Sequence, residues 1–276
     1  MLPFIPKHGW GPDHRRGALT LSFDNFGEAA EIEMGMWGDE PVGRHFTADF
    51  IPRLIETLGQ TRGTYFIEAI NVSIYPEQIK RWHASGNEVA MHAWRHEVWA
   101  NCDAARRRDI LQRSLAAFAD IGIRPIGFRP PGGAIPAEAW DEFEQAGLLY
   151  CSDLGTPGIK RSGNMLSLPF QWHTTDVYMI EEVMGFMRVR CGDPEAPYSI
   201  DTWIRTLDEA VDALLEEGGQ RTVLFHPHFI GSSDEKLDVL KHLLARARRE
   251  DIWIAPAGEV ARFAMHEYQQ TAALAG

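Results

Sequence analysis

Five stretches of the sequence place acidic, basic or metal-ligating side chains directly after short apolar runs. They are Ser22-Phe23-Asp24-Asn25, His92-Ala93-Trp94-Arg95-His96, Arg129-Pro130-Pro131-Gly132-Gly133, Ser152-Asp153 and Leu224-Phe225-His226-Pro227-His228. Two imidazoles four residues apart, joined by an oxygen donor, suit a divalent ion and leave positions open to water or substrate. A carboxylate nearby can take a proton from water, and an imidazole backed by a second carboxylate can deliver one to a leaving atom. Each stretch alone also has an ordinary structural explanation, since Asp and Asn commonly close turns. Their recurrence at successive strand ends is what points to chemistry.

The elements that must position these residues are legible in the pattern of apolar residues. Strands are expected at Ala18 to Phe23, Gly63 to Ile67, Glu88 to His92, Ile126 to Arg129, Leu148 to Asp153, Leu166 to Trp172, Thr222 to His226 and Ile252 to Ala255. Helical spacing links Phe50, Ile51, Leu54, Ile55 and Leu58, and again Ile200, Trp203, Ile204, Leu207, Val211, Leu214 and Leu215. Ser199 and Ser233 stand as N-caps, and Gly86 and Gly218 as helix stops. Strand alternating with helix implies a parallel sheet covered by helices, and eight strands imply closure into a distorted α/β barrel of seven to eight β/α units. The irregular stretches Asn25 to His45, Gly155 to Gly163 and Asp176 to Pro197 all follow strand ends, the face on which a parallel barrel collects its functional loops. With no internal repeat or linker, residues 1–276 read as one domain with its core at about 18–265.

In this order the motifs resemble the polysaccharide deacetylase family, the NodB-type carbohydrate esterase family 4. There a T-F-D-D-G-like strand end supplies a base and a metal ligand, and H-x-x-x-H supplies two further ligands. R-P-P-x, an acidic motif and L-x-H complete the site. The resemblance runs from about Leu19 to the last strand and implies a hydrolase of non-peptide C–N bonds, typically the N-acetyl amide of a sugar. Carried onto this sequence, it makes Asp24 the base and His226 the acid. Arg129 then holds Asp24, and Asp153 orients His226, with Asp176 a rival for that role. A divalent metal, zinc, is implied on His92, His96 and Asn25. The N–H of Gly132 faces the oxyanion and Asp176 stands on the substrate side, while Trp94, between the two histidines, reads either as a packing residue or as part of the site wall. Asn25 departs from the family's ligand aspartate, a D-N pair that some members acting on peptidoglycan share.

A second resemblance is to the signal-less branch of the same family. It rests on the insertion FGEAAEIEMGMWGDEPVGRHFTADFIPRLIETL after the first strand, on Leu168-Pro169-Phe170-Gln171-Trp172, on FHPHFIG and on Asp251-Ile252-Trp253-Ile254. That branch includes proteins resembling allantoinases and cyclic imide hydrolases, as well as deacetylases with occluded pockets, so that Phe26, Met34, Met36 and Trp37 either cap the mouth or pack locally. Three function classes follow: hydrolysis of an N-acyl sugar or small amide, ring opening of a cyclic imide or ureide, and non-catalytic binding. An intact acid and base separate the first two from the third, and closure of the pocket separates the first from the second.

Composition narrows the partners. The 276 residues are 45% hydrophobic and 24% charged, the balance of a globular protein. A net charge of −12 repels phosphate backbones and anionic lipid, so neither nucleic acid nor membrane is expected as a partner. The Arg106-Arg107-Arg108 run reads as a solvated helix face. The N-terminal stretch lacks the apolar run of a signal peptide, which gives a cytoplasmic expectation. Cys102, Cys151 and Cys191 are odd in number and widely spaced, as reduced thiols would be. The expected partner is a small-molecule or saccharide substrate, with homo-oligomerisation left open.

Overall fold

The computed structural model describes residues 4–38 and 41–275. Ten strands form its sheet: β1 Gly17–Asp24, β2 Thr64–Ile67, β3 Glu88–Met91, β4 Gly127–Phe128, β5 Tyr150–Cys151, β6 Lys160–Ser162, β7 Met165–Ser167, β8 Phe170–Thr175, β9 Gly219–Phe225 and β10 Ile252–Ile254. Neighbours run in the order β6-β7-β5-β4-β3-β2-β1-β9-β8, and all pairs are parallel except β6 with β7. The ring closes where the Phe170 N–H donates to the Asp153 carbonyl (2.9 Å) and the Gly155 N–H donates to that of Phe170 (3.1 Å).

Two details differ from the sequence reading. The expected strand Leu166 to Trp172 is two strands, one on β5 and one on β9, broken around Pro169, which has no N–H for a ladder. The eighth strand, β10, is a wedge: it pairs with β1 at Gly17–Leu19, below the point where β1 meets β2 at Ser22–Asp24. The hairpin strand β6 has no apolar alternation to betray it, being Lys-Arg-Ser.

Strand parity sorts the side chains. Leu19, Leu21 and Phe23 share an outer core with Ile51 and Leu54 of helix Phe46–Leu58 and with Val223 and Phe225 of β9. Ala18 lies in a second core with Phe66, Ala90, Tyr150 and Leu166, the inner face, to which Thr20, Ser22 and Asp24 belong by the same period of two. β1 is buried along its whole length because both of its faces are covered. Helix Ile200–Glu217 is capped by Ser199, whose side chain accepts from the Thr202 N–H (3.2 Å), and Ser233 does the same for helix Asp234–Ala247. Gly218 ends the first of these with a φ of +75°. The Arg106–Arg108 run is not uniformly solvated. Arg107 is buried and its Nε donates to Glu142 at 2.8 Å. Among the described residues the three cysteines are free, and no helix is long and apolar enough to cross a membrane.

Candidate active site at the strand ends

Asp24 ends β1 on its inner face, and Arg129 follows β4 on the same face. Arg129 Nη1 donates to Asp24 Oδ1 at 2.6 Å, while Nη2 donates to Ser22 Oγ and Ser152 Oγ, both at 2.9 Å. The guanidinium also lies 4.0 Å over the Phe66 ring and 5.0 Å from that of Phe170. One fully buried cation therefore bridges five strands or strand ends and fixes the Asp24 carboxylate. Asp24 Oδ2 is left facing His92 Nε2 at 3.8 Å.

His92 continues the inward parity of β3. Its Nδ1 donates to the Arg129 carbonyl (2.8 Å), which fixes the tautomer and leaves Nε2 with a free lone pair. The His96 ring stands edge-on to it, 4.9 Å between centroids. The intervening loop turns through left-handed backbone at Ala93 (φ +61°) and His96 (φ +81°), a geometry costly for L-residues. Buried Glu97 holds it, accepting from the N–H groups of Trp94 (3.0 Å) and Arg95 (2.8 Å). Burial drives both His92 and His96 down to about 3, helped by the charge of His226, so each imidazole is neutral at ordinary pH. That is the ligand form.

The sequence reading missed Glu68, which lies one residue beyond β2. A ligand atom from each of Glu68, His92 and His96 lies within 4.8 Å of the others, a group able to hold a metal ion. Thr64, Phe66 and Glu68 share one parity, as do Glu88, Ala90 and His92, and this alternation is the signal that marks Glu68 as inward. Its Oε2 accepts from the Phe26 N–H (3.1 Å) and from Asn71 Nδ2 (3.4 Å). Burial, opposed by the Phe26 N–H and reinforced by the charges of Asp24 and Glu97, holds its carboxyl well above the usual range. Asn25 sits beside it at φ +59°, its carbonyl accepting from the Tyr65 hydroxyl (3.1 Å). Asn25 Oδ1, Glu68 Oε1 and Asn71 Oδ1 are buried with no hydrogen-bond partner. Orphaned acceptors of this kind each cost about 1–3 kcal/mol. Buried oxygens and two free imidazole nitrogens are a donor set that fits a divalent ion.

His226 follows β9. Its Nδ1 donates to Asp176 Oδ1 and its N–H to Asp176 Oδ2, each at 2.6 Å. Burial alone would lower its pKa, but the charge and hydrogen bond of Asp176 outweigh it, and Asp24 adds to the rise. The carboxylate that orients His226 is therefore that of Asp176 and not that of Asp153. β8 lies directly beside β9, with Thr175 opposite Leu224, whereas Asp153 follows β5 and accepts from Ser167 Oγ at 2.5 Å. His228 lies close by, 5.5 Å between ring centroids, and burial together with the charge of His226 drives it down to about 3.

The rim residues separate as well. Gly132 is exposed at φ +77°, in a turn closed by the Gly133 N–H on the Pro130 carbonyl (2.8 Å). The half-buried Trp94 packs its ring against the outer core, 3.9 Å beneath the Arg113 guanidinium. Of the expected cap, Phe26 is a core residue edge-on to Tyr65 and Tyr75, Met34 and Met36 are exposed, and Trp37 is half-buried beside His45. Asp39 and Glu40 of that insertion lie outside the described residues.

Residues 16–151, the segment that contains Asp24, Glu68, His92, His96 and Arg129, match the family model described as polysaccharide deacetylase. That segment is similar to the polysaccharide deacetylases and makes up just under half of the chain. Over 92 residues the chain is 32% identical to the peptidoglycan deacetylase-like protein FGM2 of Gibberella zeae, covering 33% of this chain and 27% of that protein's length. Among solved structures it is similar to a polysaccharide deacetylase-type protein from Mycobacterium smegmatis. The identity is 23% and the TM-score 0.79, over 98% of this chain and 96% of that one. It is also similar to PuuE allantoinase, at 21% identity and a TM-score of 0.73 over 94% and 93% of the two chains. At these identities the structural likeness is one of fold. Within the deacetylase pattern the departure at Asn25 has a neighbour of note: position 25, directly after β1, carries no carboxylate, and Glu68 stands directly after β2.

Proposed function

We propose that this chain is a polysaccharide deacetylase-type hydrolase that cleaves the C–N bond of an N-acyl amide, on a saccharide or a small molecule, with a divalent ion, zinc, held beside His92 and His96. The observation that supports this most is the pairing of two proton-transfer groups with opposite partners: Asp24 on Arg129 and His226 on Asp176. The 3.8 Å between Asp24 Oδ2 and His92 Nε2 and the 4.9 Å between the His92 and His96 ring centroids support a single shared site, and His226 feels the charge of Asp24. A bound divalent ion there supplies Lewis-acid polarisation of the acyl carbonyl and acidifies water.

The chain's own residues account for the proton traffic. Asp24 Oδ2, freed because Oδ1 is occupied by Arg129, accepts the proton of the attacking water. As the water oxygen bonds to the acyl carbon, the N–H of Gly132, an exposed residue in the turn after β4, is proposed as the donor to the developing oxyanion. When the C–N bond breaks, its electron pair stays on nitrogen, which takes a proton from His226 Nε2. Asp176 secures the other ring nitrogen, so that Nε2 is the one that delivers.

The test is release of free amine from N-acetylated chito-oligosaccharides, simple N-acetyl amides and a cyclic imide, with and without prior chelation. Chelator-sensitive amine release from an N-acyl substrate supports the proposal. Turnover of the cyclic imide alone replaces it with ring opening, and no turnover of any substrate refutes it.

A further inference from the structure

Resting on the reading above, we infer that the acidic ligand of the metal site is Glu68, contributed by the end of β2, and that Asn25 is not the residue that supplies charge to the ion. The argument starts from what each side chain offers. Asn25 brings a neutral amide oxygen, so an ion held by His92, His96 and Asn25 would keep its full double charge in a buried site, which is unfavourable. Glu68 is fully buried, its Oε1 is one of the orphaned oxygens, and its carboxylate brings an oxygen within reach of both imidazoles.

Its position is built, not incidental. Oε2 is anchored by the Phe26 N–H and by Asn71, whose amide also donates to the Phe26 carbonyl. With one oxygen tied, the carboxylate presents the other in a fixed direction, as metal-ligating carboxylates held by outer hydrogen bonds do. The backbone couples this arm to the histidine arm. The Ala69 N–H donates to the Ala93 carbonyl and the Ile70 N–H to that of Trp94, each at 3.0 Å, so the segment after β2 and the left-handed loop after β3 form one rigid unit. Asn25 and Glu68 therefore divide the duties of one residue. The carboxylate has moved one strand along the barrel, and the amide, freed of charge, is left as a neutral donor beside the base Asp24.

The experiment uses the full chain and cobalt(II) as the probe, read by visible absorption on titration and by the cobalt-induced rise in melting temperature. Unaltered protein is expected to bind, Glu68→Gln to bind about 100-fold more weakly, since a ligand matters at least as much as the outer partners that cost 10–100-fold, and Asn25→Ala, which removes a neutral oxygen only, to lose no more than about 10-fold. Glu68→Gln keeps an acceptor for the Phe26 N–H, and its metal-free melting curve shows whether it folds. If it does not fold, Asn25→Ala decides, and a loss of about 100-fold or more there overturns the assignment. Cobalt binding by folded Glu68→Gln equal to that of the unaltered protein overturns the role of Glu68 while leaving the proposed hydrolysis standing. Absence of any cobalt binding by the unaltered protein overturns both.

Discussion

Replacing Asp176 with Asn probes the proton donor without touching its ring. The substitution keeps size and shape but removes the charge, and an amide has one oxygen to offer where Asp176 presents two acceptors to three donors, His226 Nδ1 and the His226 N–H at 2.6 Å each and the Val177 N–H at 2.7 Å. One charge-assisted bond is lost, and such bonds contribute about 1.5–3 kcal/mol. If that stabilises the imidazolium that gives up its proton at the barrier, kcat falls about 10- to 100-fold, since about 1.4 kcal/mol is one decade of rate. The pH dependence moves in a defined direction. Asp176 is the largest influence raising the His226 pKa against burial, so its loss shifts the alkaline limb of the kcat profile to lower pH. The same raised pKa makes the pair stabilise the fold fully below the ordinary histidine value. That contribution fades as pH climbs through the raised value, and the variant loses this dependence. The assay is kcat against pH for Asp176→Asn, with the His226 ring followed by NMR. Asp153→Asn is the control, expected to change kcat by no more than about twofold because its carboxylate is spent on Ser167. An unshifted alkaline limb in Asp176→Asn, or a larger loss in Asp153→Asn, would refute the assignment.

Arg129→Met removes the cation that bridges Asp24, Ser22 and Ser152 inside the barrel, leaving a buried carboxylate alone, and should cost about 3–5 kcal/mol of stability in a urea melt. Asn25→Asp places a carboxylate where the family pattern has one, and Asp tolerates the left-handed backbone there, so calorimetry should show tighter zinc binding. Equal or weaker affinity would mean that position 25 faces away from the ion. Glu97→Gln keeps one acceptor for the two N–H groups it staples but loses the charge, and cobalt affinity should fall about 10-fold through a loosened His96.

Much of this arrangement was legible before any coordinates, for identifiable reasons. Parallel strands ending in Asp24, His92, Arg129 and His226 announce themselves because each apolar run breaks at a polar residue on the same face of the barrel. Glu68 hid because it is followed by Ala69-Ile70, so the apolar run does not end at it. Only the period of two through Thr64 and Phe66 turns it inward. The choice between Asp153 and Asp176 was not decidable from spacing, since it depends on which strand neighbours β9, and the order of strands is set by the closing of the ring at Asp153–Phe170. Whether the insertion caps the mouth or packs locally was likewise not decidable from spacing. Phe26 is drawn into the core by Tyr65 and Tyr75, and Met34 and Met36 are left in solvent.

The central claim is that Asp24 acts as the base in amide hydrolysis at this site, and the most direct measurement is the initial rate of amine release by zinc-loaded Asp24→Asn against the unaltered protein. It is made on whichever N-acyl substrate the unaltered protein cleaves, with folding of both confirmed by circular dichroism. The account predicts a rate lower by about 10²- to 10⁴-fold, the usual worth of a positioned general base, with zinc still bound. A folded, zinc-loaded Asp24→Asn that releases amine as fast as the unaltered protein would contradict it.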